Sequence, residues 1–145
     1  MTSIATDTAV LALPAEQLFT FLADLSNHRA FLEPEAKDFS GDANSHRYKI
    51  EVMGMTMPVE ALIGEKVSPS LVTLVPGAKK MFDHTLRFEI TPAGDQCQLR
   101  IVDEADLPAM MKMMGAEKLL KGQLDNALAK IQELAREGNL GFPGK

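Results

Sequence analysis

Through most of this chain apolar and polar residues alternate with a period of two, and that rhythm gives way to a helical one near each end. Ile4 to Leu13 alternates loosely and predicts a strand. Pro14 suits the first turn of a helix, and Leu18, Phe19, Phe21, Leu22 and Leu25 then recur at helical spacing. Ser26 or Asn27 is placed to cap a second short helix carrying Phe31 and Leu32, which Pro34 would end.

From Lys37 the rhythm is that of strands. Lys37 to Gly41 is a short one, and Asp42 to Ser45 is a turn. Tyr48, Ile50 and Val52 alternate with Arg47, Lys49 and Glu51, as a half-buried strand requires. Gly54 turns the chain into a strand with Met55, Met57, Val59, Ala61 and Ile63 on one face. Leu71 to Val75 follows the Ser68-Pro69-Ser70 turn, and Pro76-Gly77 opens another. Phe82, His84, Leu86, Phe88 and Ile90 share a face of the next strand. Pro92 to Asp95 reverses direction, and Cys97, Leu99, Ile101, Asp103 and Ala105 share a face of the last.

Asp106 and Pro108 then open a long helix. At about 100° per residue, Met113, Leu120, Leu124, Ala127, Ile131 and Ala135 fall in one stripe, while Lys118, Asp125, Asn126, Glu133 and Arg136 fall outside it. Gly115 and Gly122 mark a place for a kink, and Gly138 a stop. The order is strand, two short helices, about six strands, long helix. A meander with one apolar face must cover that face, and the C-terminal helix is the only large amphipathic element left to do it. The expected fold class is α+β: a curved antiparallel sheet of six to seven strands wrapped around that helix, with an apolar pocket between them. Residues 1–138 form one domain in this reading, and 139–145 a tail.

Composition narrows the function. At 46% hydrophobic and 24% charged, the 145 residues suit one globular domain with a real core. The net charge of −5 argues against a nucleic-acid binder. A single cysteine, Cys97, excludes an internal disulfide and reads as core. No leader and no membrane-length apolar run is visible, so the expectation is cytoplasmic. His28 and His46 fall in segments expected to be exposed, and the three histidines lack zinc-site spacing. No phosphate-cradling Gly-rich loop or nucleophile elbow occurs. No metal or cofactor is expected.

The residues Pro14-Ala15-Glu16-Gln17-Leu18-Phe19, Leu22-Ala23-Asp24, Asn27-His28 and the closing helix Leu119 to Leu134 resemble the START-like superfamily, also called SRPBCC or birch-allergen-like. Ala105 to Met114 is similar to an uncharacterised bacterial branch of it. The resemblance covers nearly the whole chain. It implies a helix-grip fold and a cavity for a lipid, sterol, polyketide or other apolar molecule, but no particular reaction.

Two groups of residues locate the candidate site. The first is methionine. Strand reversal brings Met53, Met55 and Met57, then Met81, then Met110, Met111, Met113 and Met114 to one end of the sheet. They either finish a loosely packed core or form a deformable mouth that meets a ligand, a membrane or a protein. Lys79, Lys80 and Lys112 belong to the same end and would suit an anionic head group. The second is polar. If Thr91 pairs with Gln96, His84 faces Asp103 on the inner side of the sheet. That pair either satisfies itself or anchors a ligand, and it would supply the acid and base of an enzyme. Glu117 at the stripe edge and the Tyr48 hydroxyl are weaker candidates.

The candidate ligand set is thus Met55, Met57, Met81, His84, Phe88, Asp103, Met110, Met113, Met114, Glu117, Leu120 and Leu124. The favoured function is non-catalytic binding or transport of a lipid or other apolar small molecule, with transient membrane contact at the methionine end. The alternatives are a polyketide cyclase- or dehydratase-like enzyme using His84 and Asp103, and a chaperone-activator-like interaction module.

Overall fold

A computed structural model describes residues 1–52, 54–78 and 82–138. Met53, Lys79, Lys80, Met81 and the tail 139–145 lie outside the described residues. The strands are β1 (Thr2–Ala5), β2 (Ala9–Leu11), β3 (Lys37–Gly41), β4 (Ser45–Val52), β5 (Met55–Val67), β6 (Leu71–Pro76), β7 (His84–Ala93) and β8 (Gln96–Ala105). The helices are α1 (Ala15–Leu22), α2 (Arg29–Leu32), α3 (Ala109–Met113) and α4 (Ala116–Arg136). All eight strands join one antiparallel sheet in the order β1-β8-β7-β6-β5-β4-β3, with β2 also on β8. The α+β helix-grip architecture is as the hydropathy pattern predicts.

The eighth strand arises because the first predicted strand is two. Ala5 pairs with Val102 but Ala9 with Leu99, so the chain carries one extra residue between them. Thr6 bridges the interruption. Its amide donates to Ile101 O at 2.9 Å, and its hydroxyl accepts from Ile101 N at 3.1 Å. A side chain thereby replaces a backbone partner that the bulge removes.

α1 buries Leu18, Phe21 and Leu22 against β6, β7 and β8. Asp24, rather than Ser26 or Asn27, then caps the next turn, accepting from Ser26 N at 3.0 Å. That turn is a 3-10 piece, Leu25–His28, which runs into α2. α4 buries Leu124, Leu128 and Ile131, and it lies over β1, β2 and β8 with α2 beside it. These side chains merge with Leu99, Ile101, Phe88 and Val72 into the main core. No helix among the described residues is long and apolar enough to cross a membrane.

Two expectations need correction. The kink expected at Gly115 is a full break: Gly115, at φ +85°, separates α3 from α4. The 100° rule therefore loses its phase there. Met113, placed in the buried stripe, is exposed, while Met111, placed off it, packs on Ala105, Leu107 and Ala116. His28 and His46 are not exposed either. They are 1% and 3% accessible, because the 3-10 turn and β4 both face the core.

A Cβ added at Gly115 would have open space around it, so Gly115→Ala tests backbone conformation. Gly115→Ala should lower the free energy of unfolding in urea by about 1 to 2 kcal/mol, and Gly115→Asn by less, since Asn tolerates the left-handed region better. An unchanged Gly115→Ala midpoint would show that the α3–α4 break does not depend on the glycine.

Candidate functional site

β4 carries most of the site. Its alternation turns His46, Tyr48 and Ile50 inward, opposite Ala61, Val59 and Met57 of β5. Phe39 of β3 stacks on Tyr48 with ring centroids 6.1 Å apart and planes 12° apart. Phe31 and Leu32 approach from α2, and Ala127 from α4. Between these elements lies a pocket of about 470 Å³ walled by Phe31, Leu32, Ala36, Tyr48, Ile50 and Ala127. Its rim is polar: Glu35, Lys37, Glu51, Gln123, Asn126 and Lys130. The volume lies in the range of small-molecule sites, and half of the lining is polar or charged.

Lys130 holds the rim together. Its ammonium donates to Glu33 O at 2.7 Å and to Glu35 Oε2 at 2.5 Å, tying α4 to the loop after α2. That bond holds the Glu35 carboxyl below its ordinary range. The Tyr48 phenol is pushed up to about 12, by burial first and then by the Asp103 charge. Tyr48 therefore stays protonated at neutral pH.

His84 and Asp103 do meet, though not by the expected register. Thr91 pairs with Gln98 rather than Gln96, so His84 stands opposite Ala105 and Leu86 opposite Asp103. The imidazole instead reaches diagonally, and His84 Nδ1 lies 3.1 Å from Asp103 Oδ1. Asp103 is buried and His84 a quarter exposed. Neither lines the pocket.

The methionine end divides. Met110, Met113 and Met114 are exposed, as is Met55, and Met57 is half-buried against Ile50. Met81 lies outside the described residues. Phe88 and Leu124 are core, with Leu120 packed against it. Glu117 is exposed and accepts from Thr2 Oγ1 at 3.5 Å. None of the eleven described candidate residues lines the pocket just described. The pocket lies further along α4 than the methionines suggested, beside Gln123 to Lys130.

Behind Tyr48 sits an unexpected pair, His28 and His46, with ring centroids 5.3 Å apart. His28 Nε2 lies 2.8 Å from Leu22 O, whereas the buried His46 Nδ1 has no partner among the described residues. Burial pushes His28 down to about 3 and His46 to about 4. Cys97 is core as expected, and burial raises its thiol.

Solved structures support the architecture. The chain is similar to a START superfamily protein from Mycobacterium smegmatis, at TM-score 0.72 and 18% identity over 93% of this chain and 97% of that one. This chain has a START-like fold. It is also similar to norcoclaurine synthase from Thalictrum, at TM-score 0.69 and 15% identity over 95% and 98% of the two chains. The Aha1 dimer structure from Colwellia psychrerythraea matches at TM-score 0.67 and 12% identity over 95% and 98%. No family model and no curated protein matches this chain.

The histidine pair makes a pH prediction. The unfolded chain takes up protons near pH 6.5, while folded His46 does so only near 4 and His28 near 3. Their stabilising effect is full above pH 6.5 and lost as pH falls toward 4. Each group contributes a slope of up to about 1.4 kcal/mol per pH unit in that window. His46→Phe should flatten the fall in urea stability between pH 6.5 and 4 at little cost at pH 7, since Nδ1 loses no bond. An unaltered slope would contradict neutral burial of His46.

Proposed function

We propose that this protein binds an apolar, lipid-like small molecule in the pocket between α2, β4 and α4, and carries or senses it without transforming it. The observation that carries the reading is the pocket's construction: six apolar or aromatic walls, with half-buried Tyr48 among them, and a polar rim. Such a site accepts an apolar body and orients it by one polar end.

The fold supports ligand binding in general, and the norcoclaurine synthase structure contains a transition state analogue. The acid–base reading has one observation in its favour, the 3.1 Å contact between His84 and Asp103. It has less support than binding, because both residues stand outside the pocket wall.

Calorimetric titration with medium-chain fatty alcohols tests the proposal. Ala127→Trp fills the pocket and should weaken binding at least roughly tenfold, with the urea midpoint used to confirm folding. Tyr48→Phe should weaken binding of the alcohols by about fivefold, the value of one net hydrogen bond, and leave hydrocarbon analogues unaffected. Binding that survives Ala127→Trp would place the ligand elsewhere.

A further inference from the structure

Two buried imidazoles have no part in the pocket's wall or rim. His28 ends the 3-10 turn that leads into α2, and His46 lies on β4, which packs against that turn. Their rings meet edge to face. Each also touches one ring of the pocket wall. His28 meets Phe31 of α2 at 4.8 Å between centroids, and His46 meets Tyr48 of β4 at 5.4 Å. Phe88 of β7 and Phe39 of β3 close the cluster, at 5.5 Å from His28 and 5.4 Å from His46. The pair therefore joins the two elements that supply opposite walls of the pocket.

Nothing at this joint balances a positive charge. Asp24, the carboxylate whose charge acts on His28, is taken up by Ser26 N at 3.0 Å and Ser26 Oγ at 2.6 Å. The other group acting on His28 from across the joint is His46, which would repel it. Tyr48 is a neutral phenol. Arg29 of α2 is itself a cation, 5.2 Å over the Phe39 ring and bonded to Phe39 O and Glu33. On β3 the carboxylate of Asp38 is exposed and pairs with Lys49 of β4. The contact from β7 is the apolar Phe88. His46 Nδ1 is moreover buried with no partner among the described residues. An unbonded buried nitrogen costs stability that an apolar ring of the same shape would not, so filling space does not account for it.

We propose that His28 and His46 form an acid-sensitive latch on the pocket: protonation drives the 3-10 turn and α2 away from β4, and the ligand leaves. Release of a ligand rests on the binding reading above; the opening itself does not. The direction follows from burial. In the closed form His28 takes a proton only near pH 3 and His46 near pH 4, against 6.5 for a free imidazole. Closing therefore excludes protons that the open form holds, so closure is full above pH 6.5 and weakens as pH falls toward 4. α2 is the wall built to yield. It has four residues and buries only Phe31. α4, on the other side of the pocket, is anchored on β1, β2 and β8 through Leu124, Leu128 and Ile131. Lys130 keeps the Glu35 carboxyl ionised to below its ordinary range, so that tie is not the first that acid breaks.

Tyr48 is the sole tyrosine and there is no tryptophan, so intrinsic fluorescence reads one wall of the pocket. Acrylamide quenching of the ligand-free chain should rise severalfold on acidification, with a midpoint between pH 6.5 and 4. Far-UV circular dichroism should keep the helical signal of α4 across that step. Medium-chain fatty alcohols should bind roughly tenfold or more weakly at about pH 4.5 than at pH 7. His28→Gln keeps a donor for Leu22 O without titrating, and His46→Phe keeps a ring in the cluster. Each alone should reduce the acid response, and the two together should abolish it in both assays. Flat quenching in the wild type overturns the latch, as does the same transition in the double variant. Loss of the helical signal in step with quenching also overturns it, since acid would then unfold the whole chain. If the double variant does not fold, the single variants decide: an unmoved transition in both contradicts the latch. Alcohol that binds at neither pH, while quenching still follows the histidines, refutes the binding reading and leaves the latch standing. Alcohol that binds equally at both pH values overturns the latch and leaves the binding reading intact.

Discussion

One helix is too narrow to cover this sheet, and much of the rest follows from that mismatch. The strand order places seven strands side by side, a span of about 29 Å at the usual spacing. A helix with its side chains covers about 10 Å. α4 is committed to β1, β2 and β8 by Leu124, Leu128 and Ile131. The sheet must curve, and other elements must fill what remains. α1 covers β6 and β7, and the 3-10 turn with α2 closes toward β3 and β4. What is left open lies between α2, β4 and α4, and that is the pocket.

The same geometry explains where polar groups lie inside. On the inner face of β4, burial and then the Asp103 charge hold Tyr48 protonated. His46 and Tyr48 sit two residues apart on that face, and their rings meet at 5.4 Å. Phe31, on the pocket wall, contacts His28 at 4.8 Å between centroids. The pocket is therefore backed by a chain of rings that includes two neutral histidines.

The architecture was legible in the sequence because alternation and helical spacing are local signals. Strand faces from Tyr48 to Ala105 follow directly from them, as do the short helices around Phe21 and Phe31. The misreadings have local causes too. Thr6 hid a bulge, since a polar residue inside an alternating run looks like part of the pattern. Gly115 shifted the helical phase and exchanged Met113 for Met111. The β7–β8 register differs by two residues, yet two residues preserve the face, so His84 still reaches Asp103. The pocket was the least legible feature. Phe31, Ile50 and Ala127 each read as ordinary core, and only the assembled sheet shows that they leave space between them. Ala127 is small, but so is Ala135 in the same stripe, so size alone did not single it out.

Methyl-resolved NMR during titration with a medium-chain fatty alcohol bears most directly on the idea that incomplete coverage of the sheet creates the binding site. The account predicts saturable shifts at the Ile50, Leu32 and Ala127 methyls, with those of Leu99 and Val72 in the packed core unmoved. Shifts confined to the Met110, Met113 and Met114 methyls, with Ile50 and Ala127 silent, would contradict it.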